Sequence, residues 1–186
     1  PASTAFLAIM AVLSWQQCGY WKNSIELFNH TLQVTKNNYL AHNNLGVVLF
    51  NEGKIEEAID HYNKAIRLKP NYIQSYYNRG NAYARLGQYQ RAFDDLNEAI
   101  NLNPGYFKAY NSRAINYAKL GQFKNAIDDF NMAIKLKEDF ADAYKNRAVF
   151  YLNQNNKELG CPDAQKSCTL GNCGILEIAK AMGDCP

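Results

Sequence analysis

The chain has 186 residues, of which 47% are apolar and 20% charged, with a formal net charge of +3. That balance suits one soluble domain with a real core, and it excludes disordered and collagen-like chains. Lys and Arg are spread along the sequence rather than gathered in a basic run, so the electrostatic footprint of a nucleic-acid binder is missing.

In chain order, Ala5 to Trp15 is an uncharged apolar run. Eleven residues are too few for a bilayer span, which takes about twenty. No positive charge precedes the run and no clear small-residue cleavage site follows it, unlike a secretory signal. Three readings stay open: the last turns of a membrane helix, the buried first helix of a stack, or an arm that docks into another subunit.

From residue 39 onward a 34-residue period sets in. Gly46, Gly80, Ala114 and Ala148 fall 34 apart, as do Gly53, Gly87 and Gly121, then Ala58, Ala92 and Ala126, then Ala65, Ala99 and Ala133. Self-similarity at such a period marks a repeat architecture. Three units run from 39 to 72, 73 to 106 and 107 to 140; Pro70 and Pro104 close the first two, and Glu138 stands in the third proline's place. Each unit reads as two amphipathic helices. Apolar residues such as Leu45, Val48 and Leu49 recur at helical spacing, a glycine stops the first helix, and a second follows.

The register extends backwards over residues 5 to 38, a degenerate unit that keeps Gly19, Trp21 and Phe28. Forwards, residues 141 to 153 make a first helix with Tyr144, Ala148 and Tyr151. After Asn155 and Asn156 a cysteine-bearing, helical cap is expected in place of a second repeat helix, so that residues 141 to 186 form a degenerate terminal unit. The predicted fold class is all-α, a solenoid of antiparallel helix pairs.

Four of the five cysteines, Cys161, Cys168, Cys173 and Cys185, lie in the last twenty-six residues. The spacing lacks the C-x-x-C pairs of ordinary zinc sites, so two disulfides are the economical reading, and three pairings are open. Disulfides imply an oxidising, extracytoplasmic compartment. Cys18 reads as a buried small residue.

Tyr76, Gly80, Tyr83, Gly87, Tyr89, Ala92, Ala99 and Pro104 follow the pattern of the tetratricopeptide repeat (TPR) family, which the chain resembles in three successive registers. Arg79, Arg113 and Arg147 replace that family's usual leucine and are expected to bury their stems and expose their guanidinium ends. A second resemblance covers Trp15 to Gly46: Trp15-Gln16-Gln17, Tyr20 to Ser24, Leu27-Phe28 and Asn38 to Gly46 are similar to the junction of multi-span membrane proteins that carry TPR repeats after their last span, among them transmembrane O-mannosyltransferase-like proteins. It implies a membrane tether at the N-terminus and carries over no catalytic residue.

The TPR resemblance implies a protein or peptide partner held on an inner, concave face built from the first helices. The columns of that face hold Asn43, Asn44, Tyr77, Asn78, Asn81, Arg85, Lys108, Asn111, Ser112, Lys145 and Asn146. An asparagine offers both donor and acceptor, so a row of them can pair with an extended peptide backbone without reading its sequence. The row resembles the asparagine ladder of O-GlcNAc transferases, and it departs from the carboxylate clamp of heat-shock chaperone tail binders because Asn43 stands where the first clamp lysine would. Tyr77 and Phe50 are placed to stack on ligand side chains, and Phe50 is equally suited to the core.

No nucleophile setting, phosphate loop or dinucleotide fingerprint is present. Asp94-Asp95 and Asp128-Asp129 recur at the repeat period as solvated faces of second helices, and His30, His42 and His61 sit singly on different helices. The expected function is a non-catalytic protein-interaction scaffold, without cofactor or metal and without nucleic acid. Two alternatives stand beside it: a structural protein that self-assembles into a homo-oligomer or filament through the apolar helix 4 to 16, and an extracytoplasmic substrate-presenting domain of a membrane glycosyltransferase.

Overall fold

The computed structural model describes residues 24 to 186. The expectations placed on the apolar run, Cys18, Gly19 and Trp21 lie outside the described residues. The chain divides into two compact units, Pro1–Leu86 and Gly87–Pro186.

Unit 1 contains α1 (Ser24–Val34), α2 (Tyr39–Asn51), α3 (Ile55–Leu68) and α4 (Ile73–Arg85), each packed on the next. Asn38 caps α2, its side-chain oxygen accepting from the Ala41 N–H at 2.9 Å; such a cap satisfies one of the orphan donors of a helix start. At the turn between α2 and α3, Gly53 takes φ +81°, open to a residue without Cβ. α3 carries Glu56 and Glu57 in its first turn, where negative charge suits the helix dipole. The pair closes over Leu45, Leu49, Ile59 and Tyr62, all buried. The ring of Tyr62 lies against Gly46: a Cβ there would sit 2.6 Å from the ring. Burial pushes the Tyr62 hydroxyl pKa up, so the phenol stays neutral in the core.

Unit 2 contains α5 (Tyr89–Leu102), α6 (Phe107–Lys119), α7 (Phe123–Leu136), α8 (Ala141–Asn153), α9 (Lys157–Thr169) and α10 (Gly174–Ala181). α6 pairs with α7 and α8 with α9. The alanine columns, Ala92, Ala99, Ala126 and Ala133, are fully buried, which lets neighbouring helices approach closely. α7 ends at Leu136 although Glu138 replaces the proline; the backbone turns extended at Lys137, φ −147°.

The fourth pair corrects the sequence reading. α9 is a second repeat helix, not a departure from the repeat, and the register holds through it. Gly160 and Ser167 stand 34 residues after Ala126 and Ala133 and are buried like them. Gly160 has Leu152 where its Cβ would be, at 2.7 Å. Asn155 occupies the column of Gly53, Gly87 and Gly121 and shares their left-handed backbone, φ +56°; asparagine visits that region more readily than other residues with a Cβ. Asn156 then caps α9 by accepting from the Leu159 N–H at 3.2 Å.

The cysteines form Cys161–Cys185 and Cys168–Cys173, one of the three pairings left open. The short bridge closes the turn between α9 and α10, and the long one ties the chain end to α9. With them, Ala148, Ala164, Leu176 and Ala179 make a small terminal core, reinforced by the ion pair of Lys157 and Asp184 at 2.7 Å.

The arginine column also departs from expectation. Arg113 donates from Nε and Nη2 to both carboxylate oxygens of Asp129, at 2.7 and 2.8 Å, and from Nη1 to Asn97 at 2.6 Å. Arg147 does the same with Asp163 and Asn131, and Arg79 donates to Asn63. The guanidinium heads of Arg113 and Arg147 are therefore mostly buried, at 19% and 18% side-chain exposure. Asp95 and Asp129 are likewise buried, whereas Asp94 and Asp128 are exposed, so only the first of each acidic pair is solvated. Hydrogen bonding to Asp129 raises the Arg113 pKa against the opposing effect of burial. For Arg147 burial is the largest influence and lowers it, but the hydrogen bond and charge of Asp163 outweigh burial and the net shift is upward. Both guanidinium groups stay charged, and each bidentate pair joins the two helices of its repeat.

Candidate functional site: the first-helix face

In unit 1 the face is built by α2 and α4. Asn43 is buried, and its Oδ1 accepts from Ser75 Oγ at 3.1 Å and from Asn78 Nδ2 at 3.0 Å, while its own Nδ2 donates to Asn44 Oδ1 at 3.2 Å. Unit 2 repeats the link across α6 and α8: Asn146 Nδ2 donates to Asn111 Oδ1 at 3.1 Å, with Asn111 buried. The fifth residue of one first helix thus holds the sixth residue of the next.

This divides the predicted site residues. Asn43, Asn111 and Ser112 are buried, so Asn43 and Asn111 act as cross-links between repeats rather than as contacts for a ligand. Asn44 is exposed, and Asn78, Asn81 and Asn146 are half-buried. Asn78 and Asn146 have their orientation fixed by the cross-links and keep their carbonyl oxygens and one N–H each for other partners. Arg85 is exposed, its guanidinium 5.8 Å from the centroid of the Phe50 ring, which places Phe50 under a cation instead of free for stacking. Tyr77 is half-buried on α4. Lys108 is exposed, and Lys145 pairs with Asp142 at 3.0 Å, leaving its charge largely compensated.

Unit 2 adds a cavity of about 380 Å³ on the same face. Its floor is aromatic: Phe150 is buried, packed edge-on to Phe123 with centroids 5.6 Å apart and 6.3 Å from Phe130. Ile115 and Val149, at one position of successive repeats, form its walls, and Lys119, Asn146, Asn153 and Gln154 form its rim. Sequence reasoning missed this hollow. The signal lies in the pairing of Ala118 with Phe123: the first repeat has Phe50 and Ile55 at these positions and the fourth Leu152 and Lys157, while the second shares the alanine as Ala84 and has Tyr89.

His42 and His61, expected to stand singly, meet across α2 and α3 with their Nδ1 atoms 3.1 Å apart. Burial lowers both pKa values, that of His61 to about 4, with the charges of Lys64 on both and of Arg67 on His42 acting the same way. Two neutral rings can share one proton in a hydrogen bond, one ring donating and the other accepting. Among the described residues no group of three His, Cys, Asp or Glu side chains could hold a metal, and no helix is long and apolar enough to cross a membrane.

The chain is 24% identical to the protein in the crystal structure of MamA, with 90% of this chain and 94% of that one covered at a TM-score of 0.67. It is 18% identical to TTC0263, a thermophilic TPR protein in Thermus thermophilus, with 92% and 94% covered at a TM-score of 0.75. These two likenesses concern the fold. The first TPR of Spaghetti (RPAP3), solved bound to the HSP90 peptide SRMEEVD, is 28% identical, with 67% of this chain and 98% of that one covered at a TM-score of 0.59. No curated protein sequence matches the chain. Family models of the TPR repeat match residues 48–87, and of the tetratricopeptide repeat residues 73–106 and 107–140. Together these matches span residues 48 to 140, half of the chain, and the chain belongs to the tetratricopeptide repeat family.

Proposed function

We propose that this protein is a non-catalytic scaffold that holds an extended segment of a partner protein on the first-helix face of its repeats. The observation that carries this reading is that each unit presents amides on its first helices whose hydrogen-bonding capacity the fold leaves open. The side chains of Asn81 and Asn153 make no hydrogen bond among the described residues, Asn44 keeps its N–H groups, and Asn78 and Asn146 are pre-oriented by their cross-links. An extended peptide presents alternating N–H and C=O groups, which such amides satisfy without regard to side chains. Holding the amides on packed helices reduces the ordering cost of binding. The Spaghetti TPR, solved with a bound HSP90 peptide, supports the reading as a related repeat that holds one. A site of action in an oxidising compartment is part of the proposal, supported by the two disulfides.

The test uses a random dodecapeptide phage library selected on the purified chain, followed by polarisation binding of the enriched peptides. Two double variants, Asn44→Ala with Asn81→Ala and Lys108→Ala with Asn153→Ala, remove open groups from one unit each. At least one is expected to weaken binding tenfold or more with the far-UV helical signal unchanged. Unaltered binding to both variants would overturn the proposal.

A further inference from the structure

Building on the peptide-scaffold reading, the geometry points to a partner segment that anchors one large apolar side chain in the unit 2 cavity and flanks it with carboxylates read by Lys119. Three features of the cavity lead there. First, it exposes apolar surface that the fold has not covered: Phe123 is 44% and Val149 36% exposed, beside the buried Phe150. Contiguous apolar surface rimmed by polar groups marks an interaction site. Second, its volume of about 380 Å³ lies near the small end of ligand pockets, on the order of 300–1,000 Å³, which suits one aromatic or branched side chain and excludes a dinucleotide-sized cofactor.

Third, the rim is cationic. Lys119 is exposed, lines the cavity and has no carboxylate partner among the described residues; Lys108, on the same stripe of α6 about three turns away, is unpaired in the same sense. Asp142, on α8, is already held by Lys145 and Asn172. The Lys119 ammonium beside an apolar hollow, with Lys108 about three turns along the same helix, complements an acidic segment with an apolar anchor, and rim charges of this kind govern on-rate and partner choice. The chain's own run from Ala5 to Trp15 is uncharged and offers these lysines nothing, which is why the occupant is assigned to a partner and not to a second copy. Asn153 and Asn146, on the same rim, then meet the backbone on either side of the anchor.

The experiment compares the dodecapeptides enriched on the wild-type chain with their binding to Val149→Lys and Lys119→Glu, both surface substitutions that leave the core in place. Enriched peptides are expected to share a Phe, Leu, Ile or Trp flanked by Asp or Glu. Val149→Lys is expected to weaken them at least tenfold, Lys119→Glu several-fold, with recovery on Lys119→Glu when the peptide carboxylates are exchanged for lysines. Peptides indifferent to Val149→Lys but weakened by the amide variants would sink the pocket assignment and leave the scaffold function standing. Pocket-dependent peptides without an excess of acidic residues would overturn the acidic partner. If free wild-type chain sediments as an assembly that Val149→Lys converts to monomer, a second copy occupies the cavity and the assignment to a partner fails.

Discussion

Arg147 on α8 and Asp163 on α9 form a bidentate ion pair, Nε to Oδ2 at 2.7 Å and Nη2 to Oδ1 at 2.8 Å, with 18% and 9% of the side chains exposed. Removing one partner leaves a charge that water reaches poorly. Asp163→Ala is expected to cost about 3 kcal/mol in urea unfolding, the scale for breaking a buried pair. Arg147→Met combined with Asp163→Leu is expected to cost less than Asp163→Ala alone, because no charge is stranded. A double variant as unstable as the sum of its parts would show that the pair does not act as a unit.

The contact between Gly46 and Tyr62 predicts an overpacking penalty. Gly46→Ala places a methyl 2.6 Å from the Tyr62 ring, and the net loss is expected to be about 1–2 kcal/mol once the better helix propensity of alanine is set against the strain. Adding Tyr62→Leu in the Gly46→Ala background should restore part of it, whereas Tyr62→Leu alone should destabilise.

The paired histidines make unit 1 sensitive to acid. His61 titrates at about 4 and His42 is also lowered, while both groups in the unfolded chain titrate near 6.5. Between pH 6.5 and 4 the unfolded state therefore binds more protons, so the stabilising contribution is full above pH 6.5 and is lost as pH falls toward 4. Asp60 opposes the shift of His61, and Lys64 reinforces it. Urea midpoints measured across that window should fall with pH, and His61→Gln should flatten the fall. A slope unchanged by His61→Gln would contradict the pairing.

Reduction should act locally. The Cys161–Cys185 bridge joins residues 24 apart, a constraint worth about 3 kcal/mol in chain-entropy terms. Cys161→Ser with Cys185→Ser is expected to speed amide exchange in α9 and α10 and to leave α2, α3 and α4 protected, because repeat stability is carried by nearest neighbours. Equal loss of protection throughout the chain would count against that independence.

The helix pairs were legible because their period is written in small residues, and Gly53, Gly87 and Gly121 stand where the backbone must turn left-handed. α9 was not legible for two reasons. Pro162 lies inside it, and proline removes a helix hydrogen bond; Asn155 replaces the marker glycine with a residue equally at home in open loops. The arginine heads were misplaced because a long stem lets the charged end go either way, and only the carboxylate 16 residues ahead decides it. For the candidate site, the sequence showed which asparagines share a face but not which of them the fold consumes. Asn43 differs from Asn44 by one helical position, about 100° of rotation, and that rotation separates a buried cross-link from an exposed amide. The cavity arises from Ala118 together with Phe123, Val149 and Phe150, a combination whose meaning appears only when the side chains are placed.

The most direct test of the central claim is a backbone-amide NMR map of the chain with and without an enriched dodecapeptide. The account predicts that the perturbed amides fall on the first helices of the unit that binds, for unit 2 most strongly around Val149 and Asn153 and at Phe123 where α7 begins, with α3 and α5 little changed. Perturbations confined to α3 and α5, or to the cysteine-bridged end of the chain, would contradict it.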